Sequence, residues 1–200
     1  MSYLRPAAAV ETEIEINRSR FICNLEIVES RQQADQFISA IRERHPKANH
    51  HCWSYIAGLP DDFHQWNFSD DGEPKGTAGQ PMLNILCHSG MGNICTVVTR
   101  YFGGIKLGTG GLVRAYGQSV QSALARCDTE TIIPKKQIRL IAPYSLTGEL
   151  EQLIVQFNLS QCERSFDSDL TVVALIEETR LAELKTALTP HQHLISLKLC

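Results

Sequence analysis

Ile138-Arg139-Leu140-Ile141-Ala142 is followed shortly by Leu150-Glu151-Gln152-Leu153-Ile154-Val155-Gln156-Phe157. In the first segment Ile138, Leu140 and Ala142 repeat every second position, the period of a strand. In the second, Leu150, Leu153, Ile154 and Phe157 fall three and four apart, the stripe of an amphipathic helix. A short strand near Leu159 to Phe166 comes next, then a turn at Asp167-Ser168-Asp169. Leu170, Val172, Ala174 and Ile176 alternate again. Leu181, Leu184 and Leu188 mark a second helix that Pro190 ends, and Leu194 to Leu199 gives a last strand. The order is βαββαβ, the split βαβ or ferredoxin-like plan. That plan hosts many functions and selects none.

Upstream the pattern differs. Val10, Thr12, Ile14 and Ile16 alternate with glutamates, and Phe21, Cys23, Leu25 and Ile27 alternate after Asn17-Arg18-Ser19, which predicts an antiparallel pair. Ala34, Phe37, Ile38 and Ile41 predict a helix with Ser30 as its cap. Cys52 to Ala57 and Ile94 to Phe102 read as strands, and Leu112 to Arg126 as a helix. Eleven of the 13 glycines fall between Gly72 and Gly117, so the chain has a glycine-rich centre and a glycine-poor end. The seam is expected at Thr129 to Lys136, around Pro134. The expected class is α+β, with domains at 1–130 and 135–200.

A chain of 200 residues, 43% hydrophobic and 20% charged, is neither disordered, collagen-like nor coiled coil. A net charge of −3 argues against a strongly basic nucleic-acid binder but permits a local basic patch. Seven cysteines, odd in number and without a CxxC, predict free thiols rather than a disulfide framework or zinc ribbon. The N-terminal residues do not resemble a signal peptide, and no apolar run approaches a membrane span. A cytoplasmic protein is expected, with no membrane partner.

Four segments carry candidate chemistry. Arg100 to Arg114 runs from a strand through a glycine loop into a helix. Such a loop can aim N–H groups at an anion, with Arg100, Lys106 and Arg114 nearby. Yet Thr109 stands where a P-loop has Lys, and Val113 where a dinucleotide fingerprint has its third small residue. A tight strand–helix junction is the competing reading. Ser69 to Pro81 gathers Asp70, Asp71 and Glu73 before a helix expected near Thr77. These acids could hold a hard cation, turn the chain, or pair with Arg100 or Arg114. In Asn49-His50-His51-Cys52-Trp53 no metal-ligand spacing supports zinc, and a partly buried strand is expected. Arg18 and Arg20 read as a solvated hairpin, and Trp53, Tyr101 and Phe102 as core. No metal or cofactor is expected.

These segments together are recognisable. Arg18-Ser19-Arg20-Phe21, Ala48-Asn49-His50, Ser69-Asp70-Asp71-Gly72-Glu73-Pro74, Gly76-Thr77-Ala78-Gly79 and Arg100-Tyr101-Phe102-Gly103-Gly104-Ile105-Lys106-Leu107-Gly108 resemble the IMPACT family, in its bacterial form, over essentially the whole length. The resemblance implies a first domain similar to domain IV of elongation factor G and a ferredoxin-like second domain. It also implies a link to translation: eukaryotic relatives restrain a stress kinase that phosphorylates an initiation factor, a mechanism not transferred here.

Two functions follow as expectations. The first is a translation-linked regulatory binding protein that contacts RNA, the ribosome or a translation-associated protein. The expected contact residues are Arg18, Arg20, His50, Asp70, Asp71, Glu73, Gly76, Thr77, Arg100, Tyr101, Gly103, Gly104, Lys106, Gly108 and Arg114. The alternative is a metal-assisted hydrolase or phosphate-handling enzyme that uses the acidic and glycine loops. The binding reading further expects the acidic loop and the glycine loop Gly103 to Gly111 side by side, two helix starts, near Thr77 and near Thr109, together making an electropositive hollow.

Overall fold

From Ile94 to Arg100 every residue is buried, and Tyr101 is half-buried. A strand reads this way only when both faces of its sheet are covered. In the computed structural model, which describes residues 2–199, this strand is the centre of a five-stranded sheet. The elements around it are, in chain order, β1 (Tyr3–Pro6), β2 (Val10–Ile16), β3 (Ser19–Ile27), α1 (Arg31–Arg44), β4 (His50–Ile56), β5 (Trp66–Ser69), α2 (Gly79–Ser89), β6 (Ile94–Tyr101), α3 (Gly108–Leu124) and β7 (Thr129–Ile132). The sheet order is β2-β3-β6-β4-β5, antiparallel throughout.

Two cores sit on the two faces. On one, Tyr55, Cys95 and Val97 pack against Ala34, Ile38 and Ile41 of α1. On the other, Phe21, Cys52, Ile56 and Val98 pack against Met82 and Leu86 of α2 and Tyr116 and Val120 of α3. Ser30 caps α1, its Oγ accepting from the Gln33 amide at 3.3 Å. The β2–β3 hairpin turns on Asn17 and Arg18, with φ of 48° and 62°, the positive pair that a two-residue hairpin turn demands.

The chain divides into two compact units, Tyr3–Ile132 and a second that starts at Ile133. The second contains β8 (Lys135–Ala142), α4 (Thr147–Gln156), β9 (Ser160–Phe166), β10 (Leu170–Glu177), α5 (Leu181–Ala187) and β11 (Ser196–Leu199). Its sheet order is β11-β8-β10-β9, antiparallel, the arrangement of the split βαβ plan. Ile138, Leu140, Val172 and Ile176 bury one face against Leu150, Leu153 and Leu184.

Several elements differ from the sequence reading. Thr129–Ile132 is a strand of the first unit, paired with β1, so only Ile133 and Pro134 separate β7 from β8. Helix α2 begins at Gly79, not near Thr77. Helix α3 begins at Gly108, next to the start expected near Thr109 and ahead of Leu112, where its apolar pattern opens. The six described cysteines other than Cys200 are free thiols; Cys200 lies outside the described residues. No described helix is long and apolar enough to cross a membrane.

Candidate functional site

Register places Arg100 between Phe21 on β3 and His50 on β4. Its side chain therefore points to the face that α2 and α3 cover, and the residue is only 6% exposed. A buried guanidinium needs an anion. Glu73 supplies it: Arg100 donates to Glu73 Oε1 at 2.6 Å, and the Tyr116 hydroxyl of α3 donates to the same oxygen at 2.7 Å. The guanidinium also lies 5.5 Å from the ring centroids of both Phe21 and Phe102. Burial pushes the Tyr116 phenol and the neighbouring Cys52 thiol far above their ordinary values, so both stay protonated. Arg100 is thus a structural cation: of the readings offered for these charges, the pairing of the acidic loop with Arg100 is the one the structure shows, through Glu73, and the surface charge is not.

The other acids of the loop are equally committed. Asp70 Oδ1 accepts from the amides of Ala78 (3.0 Å) and Gly79 (2.9 Å), and Oδ2 from the amide of Gly76 (2.7 Å). One carboxylate thereby fills the start of α2, where helix N–H groups lack partners. Asp71 accepts from Arg42 and from the His51 amide, both at 2.6 Å, which ties the loop to α1 and β4. Thr77 Oγ1 donates to the Pro74 carbonyl at 2.7 Å. The expected hollow between two open helix starts is therefore corrected: the α2 start is occupied by Asp70. No group of three or more metal-capable side chains is present among the described residues.

The start of α3 differs: among the described residues no side chain, near or distant, accepts from its first amides, whereas Asp70 reaches the Gly79 amide of α2. It borders a cavity of about 440 Å³. Pro74, Phe102, Leu107 and Leu112 give apolar walls, and Asn49, His50, Glu73, Arg100, Lys106 and Thr109 add polar groups. The acidic and glycine loops meet here. His50 Nδ1 lies 2.8 Å from the Asp71 carbonyl, which can only accept, so Nδ1 carries a proton. Its Nε2 lies 4.0 Å from Glu73 Oε2. Gly103 closes the loop onto the hairpin: a Cβ there would sit 2.0 Å from the Arg18 backbone, and its amide donates to Ser19 Oγ at 3.1 Å.

Of the expected contact residues, His50, Glu73, Arg100, Lys106 and Gly108 line this cavity, and the others do not. Asp70, Asp71, Gly76 and Thr77 build the loop behind it. Arg20 pairs with Glu13 at 2.7 and 2.9 Å and lies over the Tyr101 ring, one register position away from Arg100 and so on the opposite face. Tyr101 is fixed there by His45 at 3.0 Å. Arg18 is exposed in the hairpin turn and Gly104 in the loop. Arg114 borders a separate depression with Val113, Gly117 and Gln121. Phe102, expected in the core, is 46% exposed. The sequence reading missed Asn49, Pro74, Leu107, Thr109, Leu112 and Tyr116 as site residues. Leu112 and Tyr116 are four apart, and that spacing placed them on one inward helix face.

Two compact α+β units, the first carrying a buried Glu73–Arg100 pair beneath a half-apolar cavity, define the class of protein. The sequence pattern of the Impact N-terminal domain matches residues 17–124. An IMPACT family member of Haemophilus influenzae is 42% identical over 187 residues, 94% of this chain and 91% of that protein. The IMPACT family member YigZ of Escherichia coli is 45% identical over 177 residues, 88% of this chain and 84% of that one. A crystal structure of a hypothetical protein is similar with a TM-score of 0.73 and 40% identity, covering 99% of this chain and 96% of that chain. The chain belongs to the IMPACT family.

Proposed function

We propose that this protein is a regulatory binding protein linked to translation, and that it works without catalysing a reaction. Its partner is the ribosome, through RNA or protein, or a translation-associated factor. Membership of the IMPACT family supports the link to translation, through the role of the family's eukaryotic members. The observation that carries the choice of binder over catalyst is how the acids are spent. Asp70 holds three backbone amides, Asp71 holds Arg42 and a strand amide, and Glu73 holds Arg100 and Tyr116. Metal-assisted hydrolysis asks for carboxylates free to ligate or to exchange protons. Here each is engaged in holding the fold, Glu73 through Oε1. The test is a crosslinked pull-down of the full-length protein from cells, analysed for RNA and protein together. Enrichment of ribosomal RNA, ribosomal proteins or a translation factor is the expected result. Recovery of no translation component above the untagged control overturns the reading.

A further inference from the structure

We propose that the cavity at the start of α3 binds a small phosphate monoester carrying a flat apolar body, such as a nucleotide. Four observations converge. The cavity, about 440 Å³, is of the size that small-molecule sites occupy. Gly108 and Thr109 line it with the first turn of α3, whose amides no side chain caps. A helix start of this kind attracts an anion through its unpaired N–H groups and its dipole. Arg100 lines the same cavity, is 6% exposed, and keeps a buried Nε with no hydrogen-bond partner. Lys106 stands exposed at the cavity and forms no ion pair among the described residues.

The contrast with α2 sharpens the case. There Asp70 brings a carboxylate to three amides. At α3 no described side chain plays this part, which leaves the first-turn amides open to a ligand or to water. Glu73 also lines the cavity; Arg100 and Tyr116 donate to its Oε1, which offsets part of its charge, and its Oε2 lies 4.0 Å from His50 Nε2. The Lys106 ammonium, the Thr109 hydroxyl and the first-turn amides outnumber the two oxygens of a carboxylate and suit the three terminal oxygens of a phosphate monoester. Phe102, 46% exposed, and Leu112 and Pro74 offer flat apolar surface for the body. Such a ligand is independent of which macromolecule the protein meets.

The test is an NMR titration of the full-length protein with adenosine monophosphate, adenosine, phenyl phosphate and benzoate at up to millimolar concentration. Saturable shifts confined to the amides of Lys106 to Leu112 and to His50 are expected with the two phosphates. Adenosine and benzoate should bind at least about tenfold more weakly, the loss of a charge-assisted contact. Thr109→Glu places a carboxylate in the first turn, where helices favour one, so folding should hold while phosphate binding falls by about tenfold or more. Lys106→Ala should weaken binding roughly threefold and flatten its salt dependence. A 5′-phosphorylated dinucleotide binding more tightly than adenosine monophosphate assigns the site to an RNA end, and weaker binding assigns it to a free ligand; both uphold the phosphate site. Absence of saturable shifts with either phosphate overturns it. So does benzoate binding as tightly as phenyl phosphate, or a folded Thr109→Glu protein binding as tightly as the parent.

Discussion

Arg100 and Glu73 meet at 2.6 Å with side chains only 8% and 4% exposed. The pair joins the central strand to the acidic loop, and Tyr116 on α3 locks it from a third element. Both side chains are almost wholly withdrawn from solvent.

Breaking the pair on one side should therefore be costly. Arg100→Ala is expected to lower the unfolding free energy by about 3–5 kcal/mol, since it leaves a buried carboxylate unmatched. Tyr116→Phe removes one hydrogen bond and should cost about 1 kcal/mol. Urea denaturation followed by circular dichroism measures both. An Arg100→Ala protein as stable as the parent would mean that Arg100 is not structural.

Gly103→Ala should destabilise at the upper end of single-substitution effects, about 3 kcal/mol, because the new methyl would overlap the Arg18 backbone. Gly104→Ala, in open space but at a φ of 85°, should cost less, about 1 kcal/mol. Equal effects from the two would show that close approach is not what Gly103 provides.

Cysteine reactivity should divide by burial. Burial raises Cys23 to about 12 and lifts Cys52 and Cys95 as well, so these three should resist alkylation in the folded protein at mildly alkaline pH. Cys87, Cys127 and Cys162 are partly accessible and should react, as mass spectrometry can resolve residue by residue. The same raised values couple stability to pH. Their stabilising contribution is complete below the thiol range of the unfolded chain and is lost as pH climbs from there toward the folded value. Melting temperature should accordingly fall on the alkaline side, and less so in a Cys23→Ala protein.

The second unit, expressed as residues 133–200, should fold alone with a cooperative transition. Its strands bury a core of their own around Leu140, Val172 and Leu150. A fragment lacking both a cooperative transition and strand signal in circular dichroism would overturn this division of the chain.

How much the sequence disclosed depended on how many faces of each element are buried. The second unit was legible because β8 and β10 each bury one face, which leaves a clear alternation. β1 and β7 were not, since four residues each are too few to show a period, and β7 is largely exposed. The start of α2 was displaced because its capping carboxylate, Asp70, lies nine positions before Gly79 rather than next to it. The site was half legible. Its loops were visible as motifs, and pairing of the acids with Arg100 was one of the readings they allowed, but only the covering of β6 by α3 reveals that the pair is buried.

The pairing of β1 with β7 sets Tyr3 opposite Ile132 and Pro6 opposite Thr129. The first unit thus enters and leaves its fold at one place, stitched shut by four residues at either end. A segment closed in this way can be cut out or spliced into another polypeptide through short joints, with its interior register undisturbed. The first unit is in that sense a cassette, free to travel between chains while the machinery around Glu73 and Arg100 goes with it intact.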